Sequence, residues 1–190
     1  MASLVKQPVA ESRILIVGLG LIGGSLAAAL RAAGFRGTIL SCDPDPDEIA
    51  RGIEMGLIDG GDTRLENVID GVSLVVLAVP VLAMRGVMSE LAGLLGCAAP
   101  EVVITDVGST KAAIRDCAIA AFGRVPPNLV LGHPIAGSEK SGVAAANPEL
   151  YVDHKVILTP EPDTDTAALA RVRALWAACG AEVLEMDVAR

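Results

Sequence analysis

Aromatic residues make up only 2% of this 190-residue sequence: one tryptophan, one tyrosine and two phenylalanines. A surface that binds single-stranded nucleic acid by stacking bases on rings needs several, so that class is excluded. Positive charge is also scarce: 15 lysines and arginines stand against 23 aspartates and glutamates, a net charge of −8. That balance argues against a nucleic-acid or acidic-membrane surface and leaves room only for a local basic pocket. No apolar run reaches the roughly 18 residues that a bilayer-spanning helix needs. Residues 1–12 are too polar for a secretory signal and read as a loose leader to a domain over 13–190. Cys42, Cys97, Cys117 and Cys179 form no C-x-x-C pair and no metal-ligand spacing, so no metal site is expected. Scattered thiols in apolar surroundings suit a reducing compartment, here the cytoplasm.

What the chain has in quantity is aliphatic side chains, with 52% hydrophobic residues. Ala, Val, Leu and Ile must build the core, which suits a buried parallel sheet under alanine-rich helices. The organising stretch is RILIVGLGLIGGS, residues 13–25. An apolar run, Ile14-Leu15-Ile16-Val17, precedes a glycine turn, and a helical run follows it. Gly18, Gly20 and Gly23 have the spacing G-x-G-x-x-G of a dinucleotide site. Gly18 permits the sharp turn, Gly20 leaves room for a diphosphate against the backbone, and Gly23 lets the helix pack on the sheet. The helix start, with Leu21 and Ile22, offers unpaired N–H groups and a positive dipole end.

The rest of the chain alternates strands and helices, separated by short turns. Strands are expected over 38–42, 57–58, 73–79, 102–106, 129–131, 155–158 and 182–186, with a turn at Gly60-Gly61-Asp62. Helices are expected over 21–33, 82–95, 110–122 and 165–179, and Asp47 is a candidate cap for another reaching Met55. The pattern indicates an α/β fold with a doubly wound, mostly parallel sheet of the Rossmann type. Asp43 ends the second strand, 23 positions past Gly20. A carboxylate there is placed for the adenosine ribose hydroxyls and repels a 2′-phosphate, which favours NAD over NADP. A turn-forming aspartate before proline is the alternative role.

Three further segments sit at strand ends, which gather on the ligand-binding edge of an open α/β sheet. They are Ala78-Val79-Pro80, D-V-G-S-T-K (residues 106–111) and G-H-P-I-A-G-S-E-K (residues 132–140). Together with the glycine turn, this set resembles the cofactor-binding half of the prephenate dehydrogenase family, which includes arogenate and cyclohexadienyl dehydrogenases. The resemblance covers residues 13–187. It implies an oxidoreductase that oxidises and decarboxylates prephenate to 4-hydroxyphenylpyruvate with NAD, in tyrosine biosynthesis. It carries the catalytic histidine onto His133, whose imidazole can be a neutral base at working pH. It carries the serine that bonds the substrate hydroxyl onto Ser109, which is also where a helix N-cap is expected. Ser138 and Glu139 fall on positions lining the substrate pocket, and Val79 and Pro80 on the strand end along the cofactor. Lys111 reads as a structural or solvated charge and His154 as an exposed structural residue.

The family continues into a helical second domain that supplies a homodimer interface and an arginine for substrate carboxylate. The sequence ends at Arg190 without it. The expectation is therefore a cofactor-binding half that holds NAD and turns over prephenate weakly or not at all by itself. Competing readings are an arogenate dehydrogenase, another small NAD-linked dehydrogenase or imine reductase, and a non-catalytic NAD-binding module.

Overall fold

The computed structural model describes residues 12–96, 101–137 and 139–186. Cys97 and Ser138 lie outside the described residues, as does the expected leader but for Ser12.

Eight strands form one sheet: β1 (Arg13–Val17), β2 (Thr38–Cys42), β3 (Gly60–Asp62), β4 (Leu74–Leu77), β5 (Val103–Asp106), β6 (Leu129–Pro134), β7 (Lys155–Thr159) and β8 (Glu182–Glu185). Their order across the sheet is β3-β2-β1-β4-β5-β6-β7-β8. Every pairing is parallel except β6 with β7. Five helices cover the faces: α1 (Leu21–Ala32), α2 (Pro46–Glu54), α3 (Val81–Leu95), α4 (Lys111–Phe122) and α5 (Thr166–Ala178). No helix of the described residues is long and apolar enough to cross a membrane.

The unbroken apolar run of β1 is explained by burial on both faces. Ile14 and Ile16 pack into one core with Leu26, Leu30, Val172 and Trp176. Leu15 and Val17 pack into the other, with Met84, Met88, Leu91 and Ile114. Successive strand residues point to opposite faces, so β1 serves both layers. The scarce aromatics are concentrated in the first core, where Tyr151 meets Trp176 edge to face at 5.1 Å.

Three expectations are corrected. The third strand is Gly60–Asp62, where a turn was expected, and not residues 57–58. Leu57 and Ile58 are buried as core side chains under α2 instead. Gly61 suits the strand because a Cβ there would lie 2.7 Å from the Ser41 carbonyl and 2.9 Å from Ile49 of α2. Asp45, not Asp47, caps α2, accepting the Asp47 N–H at 2.9 Å, because Pro46 takes the first helical position. Finally, β6 runs on through His133 and Pro134. The antiparallel neighbour β7 extends it, pairing His133 with Ile157 and Pro134 with Val156.

The turn from β1 into α1 is close-packed. Gly18 has φ +94°, and a Cβ there would sit 2.5 Å from the Ala78 carbonyl oxygen. A Cβ on Gly23 would sit 2.0 Å from the Gly18 carbonyl oxygen, whereas one on Gly20 would meet nothing within 4 Å. Gly23→Ala is therefore expected to destabilise the fold by about 1–3 kcal/mol through overpacking, lowering Tm by at least about 2 °C. Gly20→Ala should melt close to wild type, and calorimetry on the two variants checks the contrast.

Candidate nucleotide site

The C-terminal ends of β1, β4 and β5 open onto one cleft of about 800 Å³. Gly18, Gly20, Leu21 and Ile22 line it at the start of α1. Gly20 is the N-cap of that helix and makes no side-chain capping bond, so the first-turn N–H groups have no partner within the helix. Gly23 is buried behind this wall and does not line the cleft. Asp43, Val79, Pro80 and Ser109 do line it.

Asp43 is buried, and its carboxylate ties the end of β2 to the glycine turn. It accepts the Leu19 N–H at 2.7 Å and the Asp45 N–H at 2.9 Å. Ser109 is exposed and is not the helix cap: Thr110 takes that place, without a side-chain capping bond. Ser109 itself is one of the residues that line the cleft.

His133 lies beyond the cleft walls, which reach Gly108 and Ser109 but do not include it. It is partly buried in β6, beside a buried ion pair that sequence reasoning did not identify. Asp106, at the end of β5, has no exposed surface. It accepts from the Lys111 ammonium at 2.5 Å, the Gly108 N–H at 2.8 Å and the Gly132 N–H at 3.0 Å. Lys111 also donates to the Gly132 carbonyl, so the pair staples the start of α4 to the residue before His133. The available signal was a carboxylate ending an apolar strand, followed by glycine.

Burial pushes the Asp106 carboxyl up and the Lys111 ammonium down, and each partner offsets the other's shift. The His133 imidazole is held below its ordinary value of 6.5, first by burial and then by the Lys111 charge, with Asp106 opposing. A neutral imidazole at pH 7 follows.

Glu139 is exposed and does not line the cleft, and Ser138 lies outside the described residues. Their neighbours Gly137, Lys140, Ser141 and Gly142 do line it. So do Cys42, Thr63, Leu65 and Glu90, which sequence reasoning did not assign to the site. The Cys42 thiol is buried there and raised to about 11, by burial and the carboxylates of Glu90, Asp43 and Asp62. His154 is exposed, with Nδ1 2.9 Å from the Val152 carbonyl oxygen.

A family model described as prephenate dehydrogenase, nucleotide-binding domain, matches residues 26–185. The prephenate dehydrogenase of Bacillus subtilis is 37% identical over 183 residues, which cover 93% of this chain and 47% of that protein. Among solved structures, Aquifex aeolicus prephenate dehydrogenase in complex with hydroxyphenyl propionate and NAD+ superposes with TM-score 0.86 at 35% identity, covering 96% of this chain and 62% of that one. Synechocystis arogenate dehydrogenase follows with TM-score 0.82 at 28% identity, over 93% of this chain and 60% of that one. The chain thus spans about half the length of the curated relatives it matches.

Two outcomes are expected from this geometry. In an NMR titration the His133 ring should take its proton below pH 6.5. The unfolded chain then binds that proton first as pH falls, so this group's contribution to stability declines from about pH 6.5 downward. Lys111→Met leaves a buried carboxylate without its cation and should cost about 3 kcal/mol or more in urea denaturation. A loss below about 0.5 kcal/mol, the scale of an ordinary surface change, would show that the pair does not brace the fold.

Proposed function

The chain belongs to the prephenate dehydrogenase family, and from that premise we propose that it is the NAD-binding half of an enzyme that oxidises and decarboxylates prephenate to 4-hydroxyphenylpyruvate. The observation that carries this reading is one cleft with the glycine turn at one end and Ser109 at the other, and His133 one strand beyond. Residues 13–190 are read as a single dinucleotide-binding domain, acting in the cytoplasm. Whole-enzyme turnover and any homodimer are assigned to the longer proteins of this family.

The residues present fit the cofactor. Gly20 opens on empty space, the first turn of α1 presents unpaired N–H groups, and Leu21 and Ile22 share that wall. These donors and the helix dipole suit a diphosphate. Gly23 supports the loop from behind, and Val79 and Pro80 line the path along the sheet edge. A carboxylate has about four acceptor sites. Asp43 spends two on Leu19 and Asp45 and keeps the remainder for the two ribose hydroxyls. Its charge opposes a 2′-phosphate, the basis for preferring NAD to NADP.

When bound, the nicotinamide supplies the hydride acceptor for the ring carbon that bears the substrate hydroxyl. The protein must then take the hydroxyl proton. His133, held neutral at working pH, is the base that receives it on a ring nitrogen. Ser109 donates a hydrogen bond that fixes the hydroxyl between the two. Loss of carbon dioxide makes the ring aromatic, which drives the decarboxylation. Ser138 and Glu139 are read as contacts to the substrate. Arogenate is a second reading, supported by the likeness to the Synechocystis enzyme, and both substrates belong in the assay.

Titration calorimetry of the 190-residue chain should show NAD binding at least about tenfold tighter than NADP, a difference of about 1.4 kcal/mol, and Asp43→Ala should narrow the gap. In a full-length protein carrying this domain, His133→Asn should lower NADH formation by about 10²–10⁴-fold, the usual worth of a positioned base, with NAD affinity unchanged. A normal rate in that variant removes His133 from the mechanism.

A further inference from the structure

Among the described residues lining the cleft, Lys140 is the one cation, and the carboxylates that share the walls are Asp43 and Glu90. A dinucleotide brings a diphosphate with two negative charges into this space. The helix start answers with partial charges only, equivalent to about half a unit. One N–H of the glycine turn, that of Leu19, is already taken by Asp43. Without a full positive charge, a dianion would enter a pocket that is acidic on balance.

The segment that carries Lys140 is built onto the nucleotide-binding elements. Just after it, the Val143 N–H donates to the Glu48 carboxylate of α2. The Asn147 N–H donates to Ser25 Oγ in α1 at 2.9 Å. The Tyr151 hydroxyl donates to the Ile22 carbonyl, also in α1, at 2.7 Å. Val143 packs so closely on α1 that a Cβ on Gly24 would come within 3.0 Å of it. Residues 140–142 are therefore held beside the mouth of the glycine turn from outside the first β-α-β unit. Lys140 is exposed and lines the cleft.

We infer that Lys140 pairs with the cofactor diphosphate, supplying from the β6–β7 connection the charge that the glycine turn lacks. The inference rests on the cofactor reading above. It makes the β6–β7 connection part of the cofactor site, in addition to the substrate contacts proposed for Ser138 and Glu139. A dinucleotide that fills the cleft then fastens that connection through Lys140, while Ser25 and Ile22 hold it to the helix behind.

The test is titration calorimetry of the 190-residue chain and its Lys140→Met variant with NAD, ADP-ribose and adenosine at two salt concentrations. Circular dichroism serves as the check on folding. The variant should bind NAD and ADP-ribose about tenfold more weakly, the fold-change for about 1.4 kcal/mol, and adenosine as the wild type does. Its affinity should also fall less steeply with salt, since one ion pair is gone. Lys140→Arg should recover most of the loss. Equal NAD affinity in wild type and Lys140→Met overturns the inference and leaves the cofactor reading standing. An equal loss for adenosine assigns Lys140 a merely structural role and also overturns it. A wild-type chain that takes up no NAD removes the cofactor reading and this inference together.

Discussion

A carboxylate with no exposed surface needs donors on every side, and Asp106 has them from Gly108, Lys111 and Gly132. Each donor comes from a different structural position: the turn after β5, the first residue of α4, and the β6 residue before His133. One buried charge thus sets how the segment carrying Ser109 stands against the strand carrying His133. Gly132 is required for the approach, since a Cβ there would lie 2.8 Å from the Asp106 carbonyl. At Gly108 a Cβ would meet the tip of the Ile114 side chain at 2.2 Å, which can move aside, and the Asp106 carboxylate at 3.2 Å. One close-packed glycine, Gly132, and one ion pair draw β5, β6 and α4 together at the edge where ligands gather.

The second constraint is the reversal of direction at β7. A parallel neighbour would return the chain to the opposite end of the sheet before pairing. The antiparallel pairing instead lets β6 continue two residues past Gly132, so that His133 sits on a hydrogen-bonded strand and not on a free loop. The connection between β6 and β7 is then free to cross toward α1 and α2, where Glu48, Ser25 and the Ile22 carbonyl receive it. The cleft is bounded by this returning segment as well as by the strand ends. Its polarity follows: backbone N–H groups and one lysine on the side of α1 and the connection, carboxylates of Asp43 and Glu90 elsewhere.

The membership of the family was legible in short motifs because their residues act locally. Gly18 and Gly23 are dictated by contacts within a few residues or with the adjacent strand, so their spacing survives in the linear order. The position of Asp43 was legible for the same reason, as it is a strand end next to the glycine turn. Gly60 and Gly61 misled, since glycine suggests a turn unless the neighbour that crowds it is known. Here Ile49 of α2 and the Ser41 backbone supply the crowding. Ser109 as a cap misled by one residue: Thr110 takes that place, and Lys111, the first helical residue, is tied to Asp106 and the Gly132 carbonyl, contacts that the linear order does not reveal.

By itself the order of residues determined the alternation of apolar strands and alanine-rich helices, the nucleotide-type turn and the set of polar residues at strand ends, because each depends on spacing along the chain. Only the folded molecule decided which of those polar residues share a cleft. Leu19 and Asp43 meet across 24 positions, Asp106 and Gly132 across 26, and Ile22 and Tyr151 across 129. Those meetings follow from strand order and from one antiparallel pairing, and backbone hydrogen bonding between distant segments leaves no periodic mark in the sequence.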